Sequence, residues 1–137
     1  MKQVFSKVCQ HKLLCSLMCI DDISNYRSDL CPREEYLQVS GRVFERGTKI
    51  KAHKHLAVQR TTDITQEAWI IIKGKIKATI FDLDNSLNTQ IILNAGDCIV
   101  LFRGGHSLEV LDKDTIMYEL KSGPYFGTER DKEIIDE

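Results

Sequence analysis

A chain of 137 residues and 15.7 kDa suffices for one ordinary packed core and is too short for two. Nineteen Lys and Arg against 20 Asp and Glu leave a net charge of −1, so no overall field draws it to nucleic acid or to an anionic membrane surface. With 42% hydrophobic and 28% charged residues, two prolines and eight glycines, the composition excludes disordered and collagen-like chains.

Fifteen Ile and seven Val stand against five Ala, a balance that favours the pleated surface of a sheet over helices. The first expected strand covers residues 13–20, a short apolar run that His11 and Lys12 precede and Asp21-Asp22 closes. A run of only eight residues with no Ala-x-Ala site after it does not make an export signal, and no run approaches the roughly 18 apolar residues needed to span a bilayer. A cytoplasmic protein is expected. The cysteines at 9, 15, 19, 31 and 98 are odd in number and lack paired CxxC knuckles, so they read as reduced thiols.

Residues 21–35 form a connecting segment with Asn25, Ser28 and Pro32. Strand-like runs follow at 36–44, 48–55, 68–72, 75–83, 89–93, 98–102, 108–111 and 115–120. The breaks carry turn chemistry: Gly47, Gly74, Asp84-Asn85, Gly96-Asp97, Gly104-Gly105 and Asp112 to Asp114. Many short strands at this spacing predict an all-β sandwich or barrel. Residues 1–35 are read as an N-terminal strand and connector of the same domain, 36–125 as its barrel, and 126–137 as a tail. Glu129 to Glu137 hold five acids and two bases, the pattern of a solvated end.

His53-Lys54-His55 is the first feature that composition does not explain. Residues i and i+2 of a strand share a face about 6.6 Å apart, so two imidazoles there can converge on one ion. Around this pair stand Gly47-x5-His53-x-His55, then Glu67-x6-Gly74, then Gly96-Asp97 and Gly104-Gly105-His106.

Over residues 40–121 this order resembles a small single-domain cupin, whose motifs are G-x5-HxH-x3,4-E-x6-G and G-x5-PxG-x2-H-x3-N. The resemblance implies a jelly-roll barrel, the double-stranded β-helix, with the strand at 13–20 as an N-terminal extension. It also implies one divalent metal ion, Fe, Mn, Ni, Co or Zn, held by His53, His55, Glu67 and His106. The chain departs from the pattern in several places. Eleven residues separate His55 from Glu67, Gln59 stands where the closely spaced glutamate would fall, Phe102 replaces the proline, His106 comes one residue early, and Val110 occupies the asparagine position. The segments Arg60-Thr61-Thr62, Thr65-Gln66-Glu67, Gly104-Gly105-His106 and Lys121-Ser122-Gly123-Pro124-Tyr125 are also similar to those of cupins that accompany nucleotide-sugar and surface-polysaccharide enzymes, which implies a sugar-related ligand.

Three imidazoles and a carboxylate would leave open positions on the metal for substrate or water. From Arg42 to Arg60 six bases face one acid, Glu45, so a small anionic or sugar-like ligand is expected, with Arg60, Gln59 and Tyr125 as candidate contacts. Glu119 and Lys121 share one strand face and are candidate acid and base. The expected function is metal-dependent conversion, by isomerisation, of such a substrate. The alternatives are a non-catalytic ligand sensor, a metal-free sugar-nucleotide epimerase or ketoisomerase, and an Fe(II) dioxygenase. The apolar strand at 13–20 asks for a partner beyond a closed barrel, so a homodimer joined by strand addition is expected.

Overall fold

The computed structural model describes residues 1–136. Strands dominate, in the order β1 (Lys2–Phe5), β2 (Leu13–Met18), β3 (Ser28–Asp29), β4 (Ser40–Gly41), β5 (Glu67–Lys73), β6 (Lys75–Phe81), β7 (Leu87–Asn94), β8 (Cys98–Leu101), β9 (His106–Val110) and β10 (Ile116–Lys121), with one short helix, α1 (Thr128–Asp131), near the end. Every ladder is antiparallel. One sheet has five strands in the order β1-β2-β8-β5-β10, another has three in the order β7-β6-β9, and β3 pairs with β4 alone.

The two larger sheets share a core. Leu14, Leu17, Trp69, Ile71 and Ile99 from the five-stranded sheet cluster with Ile76, Ala78, Ile80, Ile91 and Leu93 from the three-stranded one. Fully burying each such Leu or Ile stabilises the fold by about 1.5–3 kcal/mol. The opposite face of the five-stranded sheet is covered as well. Leu13, Met18, Ala68, Val100 and Phe102 pack with Leu30 and Cys31, and Ile23, Leu37 and Val39 close over them. All six residues of β2 are therefore buried within one chain. The apolar demand of β2, which suggested a second copy, is met by the segment between β2 and β4.

Two expectations change. Of residues 36–44 only Ser40–Gly41 forms a strand, and residues 48–55 form none. Alternate positions in 48–55 put Lys49, Lys51, His53 and His55 on one side and leave only Ile50 and Ala52 as apolar side chains on the other, too little area to hold a strand on a sheet. Without strands between Gly41 and Glu67 the two sheets do not close into a barrel, and β9 and β10 remain edges. All five cysteines are free. Among the described residues no helix is long and apolar enough to cross a membrane.

Turns set the register. Gly74 turns β5 into β6 at φ +81°, where a Cβ would stand 2.3 Å from Thr115 Oγ1, so no other residue fits. Gly104, at φ +78°, passes so close to Phe81 that an added Cβ would lie 2.5 Å from its carbonyl oxygen, and the Phe81 N–H donates to Gly105 O at 2.8 Å. That close crossing delivers His106 to the head of β9 opposite Ile80.

A buried carboxylate ties the β1–β2 loop to the β6–β7 hairpin. Asp82, fully buried, accepts from Ser6 Oγ and the Leu83 N–H on one oxygen, and from the Lys7 N–H and Asn88 Nδ2 on the other. Burial alone would raise its carboxyl, but these four donors hold it well below the usual carboxylate range. Asp82→Ala would leave four donors without their acceptor. We expect it to lower unfolding stability by about 3 kcal/mol in urea titrations, whereas a loss under about 1 kcal/mol would show that the network carries little.

Candidate functional site

At one end of the two sheets, the start of β5, the end of β10 and the start of β9 converge on the carboxylate of Glu67. The β10–β5 register sets Lys121 opposite Glu67 and Glu119 opposite Trp69. Side chains two apart on a strand share a face, so Glu67 and Trp69 point the same way, as do Glu119 and Lys121. Glu67 is 5% exposed, a carboxylate that folding would not tolerate without compensation.

Compensation comes from three elements. Trp69 donates its indole N–H to Glu67 Oε1 at 2.6 Å. The other oxygen, Oε2, faces Lys121 Nζ at 3.4 Å and His106 Nε2 at 3.5 Å. Lys121 also reaches Glu119 Oε1 at 3.1 Å. The Trp69 and His106 rings meet edge to face with centroids 5.3 Å apart, which fixes the imidazole plane. Burial pushes the Glu67 carboxyl up, but hydrogen bonds from His106 and Trp69 outweigh it and bring it down to about 2. Burial pulls Lys121 down, and the Glu119 and Glu67 carboxylates reverse this and hold the ammonium well above its ordinary value. Lys121 is thus a fixed cation at neutral pH, unsuited to act as an amine nucleophile.

Glu67, Trp69, His106 and Glu119 line a cavity of about 600 Å³ that Thr65, Phe81, Arg103, Gly105 and residues 131–135 also border; Lys121 is not part of its lining. Arg103 is itself fixed by donating to both oxygens of Glu35 at 2.8 and 2.9 Å. Gln66 Nε2 donates to Glu35 Oε2 at 2.6 Å, and Gln66 Oε1 accepts from the Leu37 N–H at 2.7 Å. The segment covering the outer face of the large sheet is therefore latched to the residue preceding Glu67.

Of the residues expected from sequence, the structure brings together Glu67, His106, Glu119 and Lys121. It places the others elsewhere. His53 and His55 lie exposed in a strand-free segment, their rings 5.6 Å apart, with His53 Nδ1 2.9 Å from Lys51 O. Neither lines the cavity. Gln59 is exposed, and Arg60 borders a separate groove of about 480 Å³ with Arg33, Glu35 and Tyr36. Tyr125 is exposed and its hydroxyl meets Thr128 Oγ1 at 2.9 Å. Trp69 is not among the candidates taken from sequence, yet its indole N–H makes the shortest contact to Glu67; the available signal is its i, i+2 spacing from Glu67 on a strand. Arg103 and Thr65 carried no signal, because their roles depend on residues 68 and 66 positions away.

Around Glu67 the residues do not fit a four-ligand metal centre. Its oxygens already face an indole N–H, an imidazole nitrogen and an ammonium, and a cation there would meet the charge of Lys121. Among the described residues no group of three or more His, Cys, Asp or Glu is arranged to hold a metal ion. Cys15 and Cys98 add no nucleophile, since burial pushes both up to about 12. No family model, curated protein or solved structure matches the chain.

Because the folded Glu67 carboxyl titrates below its ordinary value of 4.5, its contribution is present above pH 4.5 and is lost as pH falls toward about 2. Trp69→Phe removes one donor, so acid unfolding of that variant is expected to begin at higher pH than in the parent. Coincident acid transitions followed by circular dichroism would contradict the hydrogen bond.

Proposed function

We propose that the chain is a cupin-type jelly roll that binds a small sugar-like substrate in the Glu67 cavity and isomerises it by acid–base chemistry without a metal. The observation that supports this reading is that His106, Lys121 and Trp69 all address one buried carboxylate beside a cavity large enough for a sugar. An imidazole can take and return a carbon-bound proton, a fixed ammonium can stabilise the oxyanion that forms, and a carboxylate behind both can hold them in place.

For a hydroxy-carbonyl substrate the steps balance without an oxidant. With Nε2–H of His106 directed at Glu67, the other ring nitrogen, Nδ1, accepts the proton from the hydroxyl-bearing carbon, and the released C–H pair forms the carbon–carbon double bond. The carbonyl π pair moves to oxygen, and the Lys121 ammonium, held against Glu67 and Glu119, supplies the positive field that stabilises its negative charge. The hydroxyl proton passes to that oxygen by way of the partly exposed Glu119, and His106 returns its proton to the former carbonyl carbon. Glu67 positions His106 and Lys121 and exchanges no proton itself.

The test is deuterium incorporation from D2O into nucleotide-linked keto sugars, followed by mass spectrometry. Incorporation that persists in EDTA and falls by about 10²–10⁴-fold in His106→Asn would support the reading. Stoichiometric uptake of Fe, Mn, Ni, Co or Zn that is lost in the His53→Ala/His55→Ala variant and is required for turnover would overturn it in favour of the four-ligand metal site. A ligand-dependent rise in melting temperature with no exchange would overturn it in favour of a sensor.

We also propose that two copies pair through β10. This edge strand has a ladder on one side only and exposes Ile116, Tyr118 and Leu120 along one face. Light scattering at micromolar concentration is expected to give a dimer mass that Tyr118→Lys/Leu120→Lys reduces to that of a monomer. A monomeric parent would contradict it.

A further inference from the structure

The acidic end of the chain is not a free tail. After Pro124, Gly127 reverses the backbone at φ +100° and α1 carries the following residues over the Glu67 cavity. Two contacts seat them there. Thr65 Oγ1 donates to Asp131 Oδ1 at 2.6 Å, and Ile135 rests on Gly105 so closely that a Cβ at position 105 would stand 2.1 Å from Ile135 Cδ1. Asp131 and Ile135 are half-buried, whereas Lys132, Glu133, Ile134 and Asp136 between and after them are exposed. The segment is therefore seated through Asp131 and Ile135, and the residues between them are exposed.

We propose that residues 128–136 are an intrachain lid that occupies the mouth of the cavity and must lift for a ligand to reach His106. The inference rests on the cavity proposed above as the substrate site, although not on the reaction assigned to it. Its physical basis is the small number of attachments. Among the described residues a single side-chain hydrogen bond, Thr65 to Asp131, ties the segment to the sheets, and its acids outnumber its bases, so its seat is weak relative to the sheets beneath and opens without disturbing them. The absence of a side chain at Gly105 makes room for Ile135. The lid also shows which chemistry its seat accepts, namely a carboxylate toward Thr65 with an aliphatic group against Gly105.

Trp69 is the sole tryptophan, 2% exposed and on the cavity wall, so quenching of its fluorescence by acrylamide reports access to the cavity and nothing else in the chain. A chain ending at Gly127 and the Ile135→Asp variant are each expected to raise the quenching constant at least about twofold over the full chain. Gly105→Ala should do the same, because its methyl would displace the flexible end of Ile135 and the position needs no left-handed backbone. Equal quenching in the full chain and in these variants, all still unfolding cooperatively, would overturn the lid. That outcome would leave the acid–base reading standing, whereas loss of deuterium exchange in His106→Asn bears only on the chemistry.

Discussion

Burial of the Glu67 carboxylate is the constraint around which the site is built. A charged group that is 5% exposed persists only if donors surround it, and each donor here comes from a different place: Trp69 from the same strand, Lys121 from β10 and His106 from the head of β9. Removing the carboxylate would release all three at once. Keeping it forces an aromatic, an imidazole and an ammonium into one small volume, which is why the same interaction that costs desolvation energy also assembles a set of groups able to move protons.

The surrounding fold serves that convergence. The centre of the large sheet, β2, β8 and the first part of β5, is buried on both faces, so β5 and β8 have little freedom to shift, and the Gln66–Glu35–Arg103 chain of contacts clamps the strand end from which Glu67 projects. On the other side Gly104 and Gly105 let the β8–β9 connection pass against Phe81 and present His106. Asp82 performs a comparable task away from the cavity, where four neutral donors and no cation surround the carboxylate. The contrast is informative: Asp82 is satisfied by groups that do not ionise near neutrality, Glu67 by two that carry or can carry protons.

Much of the sheet structure was legible in the sequence because alternation and turn residues act locally. From Glu67 onward each expected strand lies within a few residues of an observed one, and Gly74 and Gly104 mark turns whose φ only glycine tolerates. Residues 36–55 misled because their β-branched and aromatic content signals strand propensity, while strand formation also needs apolar area on one side, which Ile50 and Ala52 do not supply. The four-residue β1, with only Val4 buried, gave too short a pattern to read. Glu67 and His106 were found through motif spacing, and Glu119 with Lys121 through shared strand parity. Arg103, Thr65 and the seating of Ile135 were not legible, since each depends on contacts between residues 30 to 68 positions apart that no local pattern encodes.

The most direct test of the carboxylate's organising role is the indole N–H resonance of Trp69, which is unique because the chain has one tryptophan. In proton–nitrogen NMR spectra the account predicts a signal far downfield and slow to exchange with solvent, which returns toward the free indole position in Glu67→Ala. A resonance already at the free position and exchanging rapidly in the parent protein would contradict it.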